Sequence, residues 1–311
     1  MNAAGQAIVR LCLRAGASHA GVVPAEAVSD ADWQCLESWR TAGRHADMAY
    51  MERYDDVRRN PRLLLAPDGP EARSLVVCLF NYNHGNAPMA GPRVAEYARG
   101  LDYHIVLRQR LQTVCQAIAG MGGTARVCVD SAPLRERYWA QRAGLGHVGR
   151  NGQLTVPGEG AGFVIATVVT DLDLGGASHP AVDVDTFCGS CRRCVDACPA
   201  HALDGTGSVD ARRCLSYLTI ESKEDVPADT PLCGQIFGCD ICRRVCPHAA
   251  NAPVSQIEEF APRQALMALT TADWQAMTAG DFRRLSRGTP LQRTRLAHIK
   301  ATLVALMNYK L

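Results

Sequence analysis

The spacing of its cysteines constrains this chain more than any other feature. Cys188, Cys191, Cys194 and Cys198 form the run C-x2-C-x2-C-x3-C-P, closed by Pro199. A partial copy, Cys239, Cys242 and Cys246, reads C-x2-C-x3-C-P and closes at Pro247. In this arrangement three close thiolates hold one [4Fe–4S] cluster and the fourth reaches across to a second. One-electron transfer is therefore part of what the chain does.

Two cubane clusters need eight thiolates, and the two runs supply seven. Cys214, in the segment Asp210-Ala211-Arg212-Arg213-Cys214, lies between them and is the candidate for the eighth. Cys233, close to the 239–246 turn, competes for that place. By the crossing-over rule Cys188, Cys191, Cys194 and Cys246 hold one cluster, and Cys198, Cys214, Cys239 and Cys242 the other. A structural zinc site prefers two separated cysteine pairs in a tetrahedral set, whereas here three thiols crowd into seven residues. A disulfide framework suits short secreted chains better than one of 311 residues.

That length exceeds one average domain. A hydrophobic share of 47%, a charged share of 21% and a net charge of +2 describe an ordinary globular protein, without the overall basic footprint of a dedicated nucleic-acid binder. The N-terminus shows no basic segment followed by an apolar stretch. The longest apolar run, residues 160–169, is too short to span a bilayer and reads as a buried strand. Of the 14 cysteines, Cys12, Cys35, Cys78, Cys115, Cys128 and Cys233 fall outside the assigned eight. Five of these sit mostly in apolar company, like buried free thiols. Unprotected thiols together with clusters point to the cytoplasm, with no membrane attachment. No long exposed apolar stripe is evident, so a monomer is expected.

Residues 2–16 carry a helical period, with Gly16 as a C-cap. Residues 20–23 read as a short strand, and residues 30–43 as a helix with Asp30 at its N-cap and Gly43 as its stop. The apolar run 74–80 reads as a strand buried on both faces. Residues 104–119 form the clearest amphipathic helix, ended by Gly120. Residues 125–129 and 163–170 are further strands, with Asp130 at the end of the first. This alternation argues an α/β or α+β domain over residues 1–175. Residues 175–180 make a linker, the cysteine-rich unit occupies 181–250, and 256–311 is a helical tail broken at Pro262 and near Gly288-Thr289-Pro290.

Val129-Asp130-Ser131-Ala132-Pro133, followed by Glu136-Arg137, places a carboxylate just beyond a strand, where sites often lie. Asp130 is there either a proton donor or orienting group, or the N-cap of a following helix. The turn Gly144-Leu145-Gly146-His147-Val148-Gly149-Arg150-Asn151 allows backbone to approach a large ligand. It follows a helix-like stretch, so it is no dinucleotide fingerprint. Asp102-Tyr103-His104 is a capping cluster or a site. Arg283, Arg284, Arg287, Arg293, Arg295 and Lys300 run without an acidic residue between them. They form a solvated helix face or a patch for RNA phosphates.

Taken in order, these motifs resemble the epoxyqueuosine reductase family over nearly the whole chain. The motifs are Glu96-Tyr97-Ala98-Arg99-Gly100-Leu101-Asp102-Tyr103-His104, the Asp130 segment, the glycine-rich turn, the double cluster run and Arg213-Cys214-Leu215-Ser216-Tyr217-Leu218-Thr219-Ile220-Glu221. The resemblance implies an α+β architecture, with a cobalamin-binding α/β domain similar to reductive dehalogenases, a ferredoxin-like unit with two [4Fe–4S] clusters, and the helical tail. It implies reduction of the epoxide of epoxyqueuosine in a tRNA anticodon loop to queuosine. Electrons would come from an external low-potential donor of ferredoxin or flavodoxin type. It also implies Asp130 as proton donor, with its pKa raised by burial, and cobalamin or tRNA contacts from Asp130, Asn151, Leu154, Ser216 and Asp240.

The chain departs from the family pattern at His147 and Arg150 (Trp and Lys), at Ile241 (Asp), at His248-Ala249 (Trp-Asn) and at Gly234-Gln235-Ile236 (Gly-Asn-Arg). Two other functions stand beside this one: a related cobalamin and iron–sulfur reductase of a small molecule, and a ferredoxin-type electron carrier.

Overall fold

The computed structural model describes residues 1–65, 69–85 and 87–309. Ser74–Asn81 is the spine of the N-terminal half, and each of its residues is buried. His19–Pro24 pairs along one edge and Phe163–Thr170 along the other, and Ala125–Val129 completes the sheet beyond Phe163–Thr170. Every one of these pairings is antiparallel. Side chains alternate across a pleat, so one strand feeds two cores. Leu75, Val77 and Leu79 meet Trp33, Tyr138 and Trp139 on one face. Val76, Cys78 and Phe80 meet Ile8, Leu107, Leu111 and Ile118 on the other. Each of these side chains contributes about 1.5–3 kcal/mol by leaving water. Helices cover both faces, so an antiparallel strand here carries the continuous apolar run usual in parallel sheets. The register makes the fold α+β.

Three local expectations change. The helix Asp30–Thr41 is capped by Ser29, whose Oγ accepts the Asp32 amide at 3.2 Å. Asp30 lies in the first turn, where a carboxylate suits the helix dipole, and pairs with Arg59. The single helix expected over residues 104–119 is two, Tyr103–Arg110 and Gln112–Gly120. At their junction the Thr113 hydroxyl donates to the Arg110 carbonyl at 3.3 Å, a local bond that bends helices. Asp130 caps no helix: the helix after it, Glu136–Arg142, begins beyond Arg135.

The cysteine-rich unit is made of short helices, Val184–Cys188, Arg193–Asp196, Leu215–Ile220 and Ile241–Arg244. It is tied to the rest of the chain by Arg93–Val94, which pairs in parallel with Gln235–Phe237. The tail closes over that junction: Trp274, Phe282, Leu291, Ile299 and Leu303 share a core with Val94, Ala98, Ile236 and Phe237. Two helices of the tail, Thr271–Ala276 and Ala279–Ser286, begin at capping boxes, Thr270 with Asp273 and Thr278 with Asp281. The expected tail ran to Leu311, and its last two residues lie outside the described ones. Among the described residues no helix is long and apolar enough to cross a membrane.

Candidate active site and cluster-binding segment

Asp130 follows the strand Ala125–Val129 directly and adopts φ of +54°. A left-handed non-glycine residue is strained, and such strain collects at functional sites. Two bonds hold the turn. The Ser131 amide donates to the Val129 carbonyl at 2.5 Å, and the Asp130 amide donates to Glu136 Oε1 at 2.7 Å. The side chain of Asp130 is 57% exposed. Its Oδ2 accepts the Tyr103 hydroxyl at 2.9 Å and lies 3.4 Å from His104 Nε2. Oδ1 has no hydrogen-bond partner among the described residues.

Asp102 is both cap and partner. Its Oδ1 accepts the His104 amide at 2.9 Å at the start of Tyr103–Arg110, and lies 2.8 Å from His104 Nδ1. His104 thus sits between two carboxylates, stacked on Tyr103 with ring centres 4.3 Å apart. The hydrogen bonds to Asp102 and then Asp130 outweigh burial and push His104 up to about 9. Burial works to raise Asp130, yet hydrogen bonds from His104 and Tyr103, with the charges of His104 and Arg293, hold its carboxyl below the ordinary range. Among the protein groups alone, these neighbours win over desolvation at Asp130. Glu136 is the raised acid instead, at about 8, through burial first and the Asp130 charge second.

A row of tyrosines leads from this point towards the thiols. Tyr103 and Tyr97 meet edge-on at 5.9 Å, and Tyr97 and Tyr82 at 6.4 Å. Tyr82 lies under the Arg243 guanidinium at 5.4 Å, one residue from Cys242. Arg243 closes a buried ion cluster. It bonds Glu96 Oε2 and lies 3.4 Å from Asp240 Oδ1, while Asp240 Oδ2 accepts the Glu96 amide at 2.8 Å. Arg243, Glu96 and Asp240 are 7%, 2% and 5% exposed. Along the chain only the i,i+3 spacing of Asp240 and Arg243 hints at this cluster, because Glu96 is far away.

The thiols fall into two groups. Cys188, Cys191, Cys194 and Cys246 line one cavity, with Gly149, Asn151, Thr155, Phe187 and His248. Cys198 and Cys214 act electrostatically on Cys239 and Cys242, and these four form the second group. Burial pushes the Cys239 thiol up to about 12 and raises Cys214 and Cys242 as well. Backbone amides face the sulfurs: Ser216 and Tyr217 on Cys214, Ile241 on Cys239, His248 and Ala249 on Cys246. The Ala202 amide lies 3.3 Å from Cys198 Sγ. Such donors stabilise thiolates and tune iron–sulfur potentials. Cys233 is exposed and is not among the thiols acting on Cys239 or Cys242.

The glycine-rich turn is a hairpin, His147–Val148 against Leu154–Thr155, that backs the first cavity. A Cβ at Gly149 would lie 3.6 Å from Cys188 Sγ, an ordinary contact distance, so this turn packs against the thiol. Arg150 stitches the turn to the cysteine unit through the carbonyls of Cys191 at 3.1 Å, Gly205 at 2.7 Å and Gly189 at 2.8 Å, and through Asp185. Two departures from the family pattern pack together here: His147 and His248 flank Phe187 at 4.9 and 5.0 Å.

Asn151 is buried, with Nδ2 3.4 Å from the Cys242 carbonyl and Oδ1 accepting the Gln153 amide. Leu154 packs in the core beside Trp139. Ser216 lies half-buried in the first turn of Leu215–Ile220, and both oxygens of Asp240 are engaged in the ion cluster. In the basic run, Arg293 pairs with Glu221 at 3.0 Å near the Tyr50 ring, and Arg284 pairs with Asp281. Arg283, Arg287 and Arg295 form no ion pair among the described residues.

Residues 187–249 match the 4Fe-4S double cluster binding domain, and residues 58–131 match the family described as epoxyqueuosine reductase QueG. An epoxyqueuosine reductase of Leadbetterella byssophila is 38% identical over 275 residues, covering 86% of this chain and 87% of that protein. The Bacillus subtilis epoxyqueuosine reductase, solved with an aspartate-bearing catalytic loop swung out of its active site, superposes with a TM-score of 0.80. It is 26% identical, over 97% of this chain and 83% of that one. An epoxyqueuosine reductase solved with a tRNA-Tyr epoxyqueuosine-modified stem loop superposes with a TM-score of 0.78 at 25% identity, over the same shares of the two chains. With the double cluster motif, the Asp130 turn and this likeness along most of its length, the chain belongs to the epoxyqueuosine reductase family of oxidoreductases.

Proposed function

We propose that this chain reduces the epoxide of epoxyqueuosine in a tRNA anticodon loop to the cyclopentene of queuosine. The relationship along most of its length, at 38% identity to a curated relative, is the observation that carries this reading. The relatives solved with an epoxyqueuosine-modified stem loop and with an aspartate catalytic loop swung out of the active site support it, since Asp130 occupies a strained turn at a strand end.

In this reading Cys188, Cys191, Cys194 and Cys246 hold one [4Fe–4S] cluster, and Cys198, Cys214, Cys239 and Cys242 the other. The shared cavity of the first group and the amides facing the thiols suit such clusters. The raised thiols must lose their protons as iron binds. Cobalamin would be held beside Asp130, with Tyr97 and Tyr103 as ring surface for a large planar ligand. Bound there, it would supply low-valent cobalt for a two-electron reduction. Asn151, Leu154, Ser216 and Asp240 serve that site by holding its walls, and Asp130 Oδ1 is left for the substrate.

Opening an epoxide develops negative charge on oxygen, which a positioned acid quenches. Arg293, whose charge acts on Asp130, borders the site, and it and the unpaired arginines of the tail serve as partners for RNA phosphates. The enzyme works as a cytoplasmic monomer fed by a low-potential donor of ferredoxin or flavodoxin type. The test is anaerobic reconstitution with iron, sulfide and cobalamin, then nucleoside mass spectrometry of epoxyqueuosine-containing tRNA. Queuosine should accumulate. No conversion by a fully loaded, reduced protein refutes the reading.

A further inference from the structure

An ionised Asp130 cannot give up a proton, yet reducing an epoxide to an alkene and water consumes two protons with two electrons. The proton must be stored nearby. We infer that His104 is the proton store and positioning residue of Asp130, with Asp102 fixing the ring; this rests on the epoxide-reductase reading above.

The geometry has one carboxylate on each ring nitrogen, Asp102 Oδ1 at 2.8 Å from Nδ1 and Asp130 Oδ2 at 3.4 Å from Nε2. Only an imidazolium donates to both. Tyr103 donates its hydroxyl to the same Oδ2, leaving Oδ1 for the leaving oxygen. As negative charge grows on that oxygen, the Nε2–H bond breaks and an O–H bond forms at Asp130 Oδ2, and rotation of the carboxyl about its Cβ–Cγ bond brings this O–H round to the substrate side. The Asp130 O–H then breaks as an O–H forms on the substrate oxygen. The net result is a neutral imidazole, a restored carboxylate and a hydroxyl in place of an oxyanion. His104, 24% exposed at its side chain, takes a second proton from water and repeats the transfer, so that the oxygen leaves as water. The two electrons come from the clusters, refilled by the low-potential donor.

Several charged groups face this pair. Arg108 of the same helix acts on Asp102. Glu136, from the helix after the turn, feels both Asp130 and His104, and Arg137 acts on Glu136. Arg293 of the tail acts on Asp130. Among them only Glu136 titrates close to His104, at about 8.

The decisive experiment pairs a titration with a rate profile. In full-length, cluster-loaded protein carrying labelled histidine, His104 should titrate near 9 by NMR, and Asp102→Asn should bring it down towards 6.5. Asparagine caps a helix as well as aspartate does, so this variant keeps the fold. In the tRNA assay, wild-type turnover should fall as pH rises through about 9, and in Asp102→Asn that limb should move down with the NMR value. His104→Gln should lose about 100-fold at pH 7. A wild-type His104 titrating near 6.5 overturns the inference. So does a rate limb that ignores Asp102→Asn and disappears in Glu136→Gln, which assigns the proton to Glu136. An inactive wild type in which His104 still titrates near 9 and responds to Asp102→Asn refutes the tRNA reading while supporting the proton store.

Discussion

Arg243→Met is the most informative single change for the fold. Among the described residues Arg243 is the only cation bonded to Glu96, whose side chain is 1% exposed, and it also bonds Asp240, at 7%. Methionine keeps the length and apolar stem of arginine but removes the charge. Glu96 is then left with the His84 amide at 2.8 Å, and Asp240 with the Glu96 amide and Arg244 at 3.7 Å. Removing one partner of a buried ion pair costs roughly 3–5 kcal/mol. Arg244 can lean towards Asp240, which puts the expectation at the low end, about 3 kcal/mol. For a chain of this size that corresponds to a fall of roughly 4–6 °C in melting temperature. The assay is anaerobic thermal melting of the cluster-loaded protein, with iron content measured alongside. Glu96→Gln added to Arg243→Met removes the orphaned charge and should recover at least a third of the loss. A drop below about 2 °C, or a double variant less stable than Arg243→Met, would refute the argument that desolvated charge governs this junction.

Other expectations follow from single contacts. Cys214→Ser should bring iron content down to about half that of wild type by losing one of two clusters, and Cys233→Ser should leave it unchanged. Asp130→Gly should be more stable than Asp130→Ala by about 1 kcal/mol, since alanine cannot adopt the left-handed turn freely; equal stabilities would show that the turn relaxes. Both should be inactive in the nucleoside assay. Glu136 holds its proton up to about pH 8 in the folded chain, above its value of 4.5 when unfolded. Its contribution to stability is therefore full below pH 4.5 and disappears by about 8, so Glu136→Gln should flatten melting temperature against pH across that window. Arg293→Glu should weaken tRNA binding and reduce its salt dependence; unchanged affinity would leave the basic run as a solvated face.

The cysteine spacing, the strand periods and the order of motifs were legible because each depends on residues close together in the chain. A strand buried on both faces shows eight apolar-tolerant positions whatever its direction, so Ser74–Asn81 was readable while its antiparallel register was not. The Asp130 turn was visible, but its conformation was not: Asp, Ser and Pro favour a helix cap locally, and Glu136 holding the Asp130 amide decides against one. The bend at Leu111 depends on one hydroxyl, that of Thr113, inside an otherwise regular pattern.

The sequence by itself determined that two clusters' worth of thiols exist and which strands and helices surround them, because ligand spacing and side-chain period are properties of the local chain. Tertiary structure alone decided how the titratable groups of the site meet. Asp102 and His104 open one helix, whereas Asp130 and Glu136 lie beyond a distant strand, and their mutual effects depend on distances of about 3 Å. Coulombic and hydrogen-bond energies fall steeply beyond such distances, so no linear pattern encodes them.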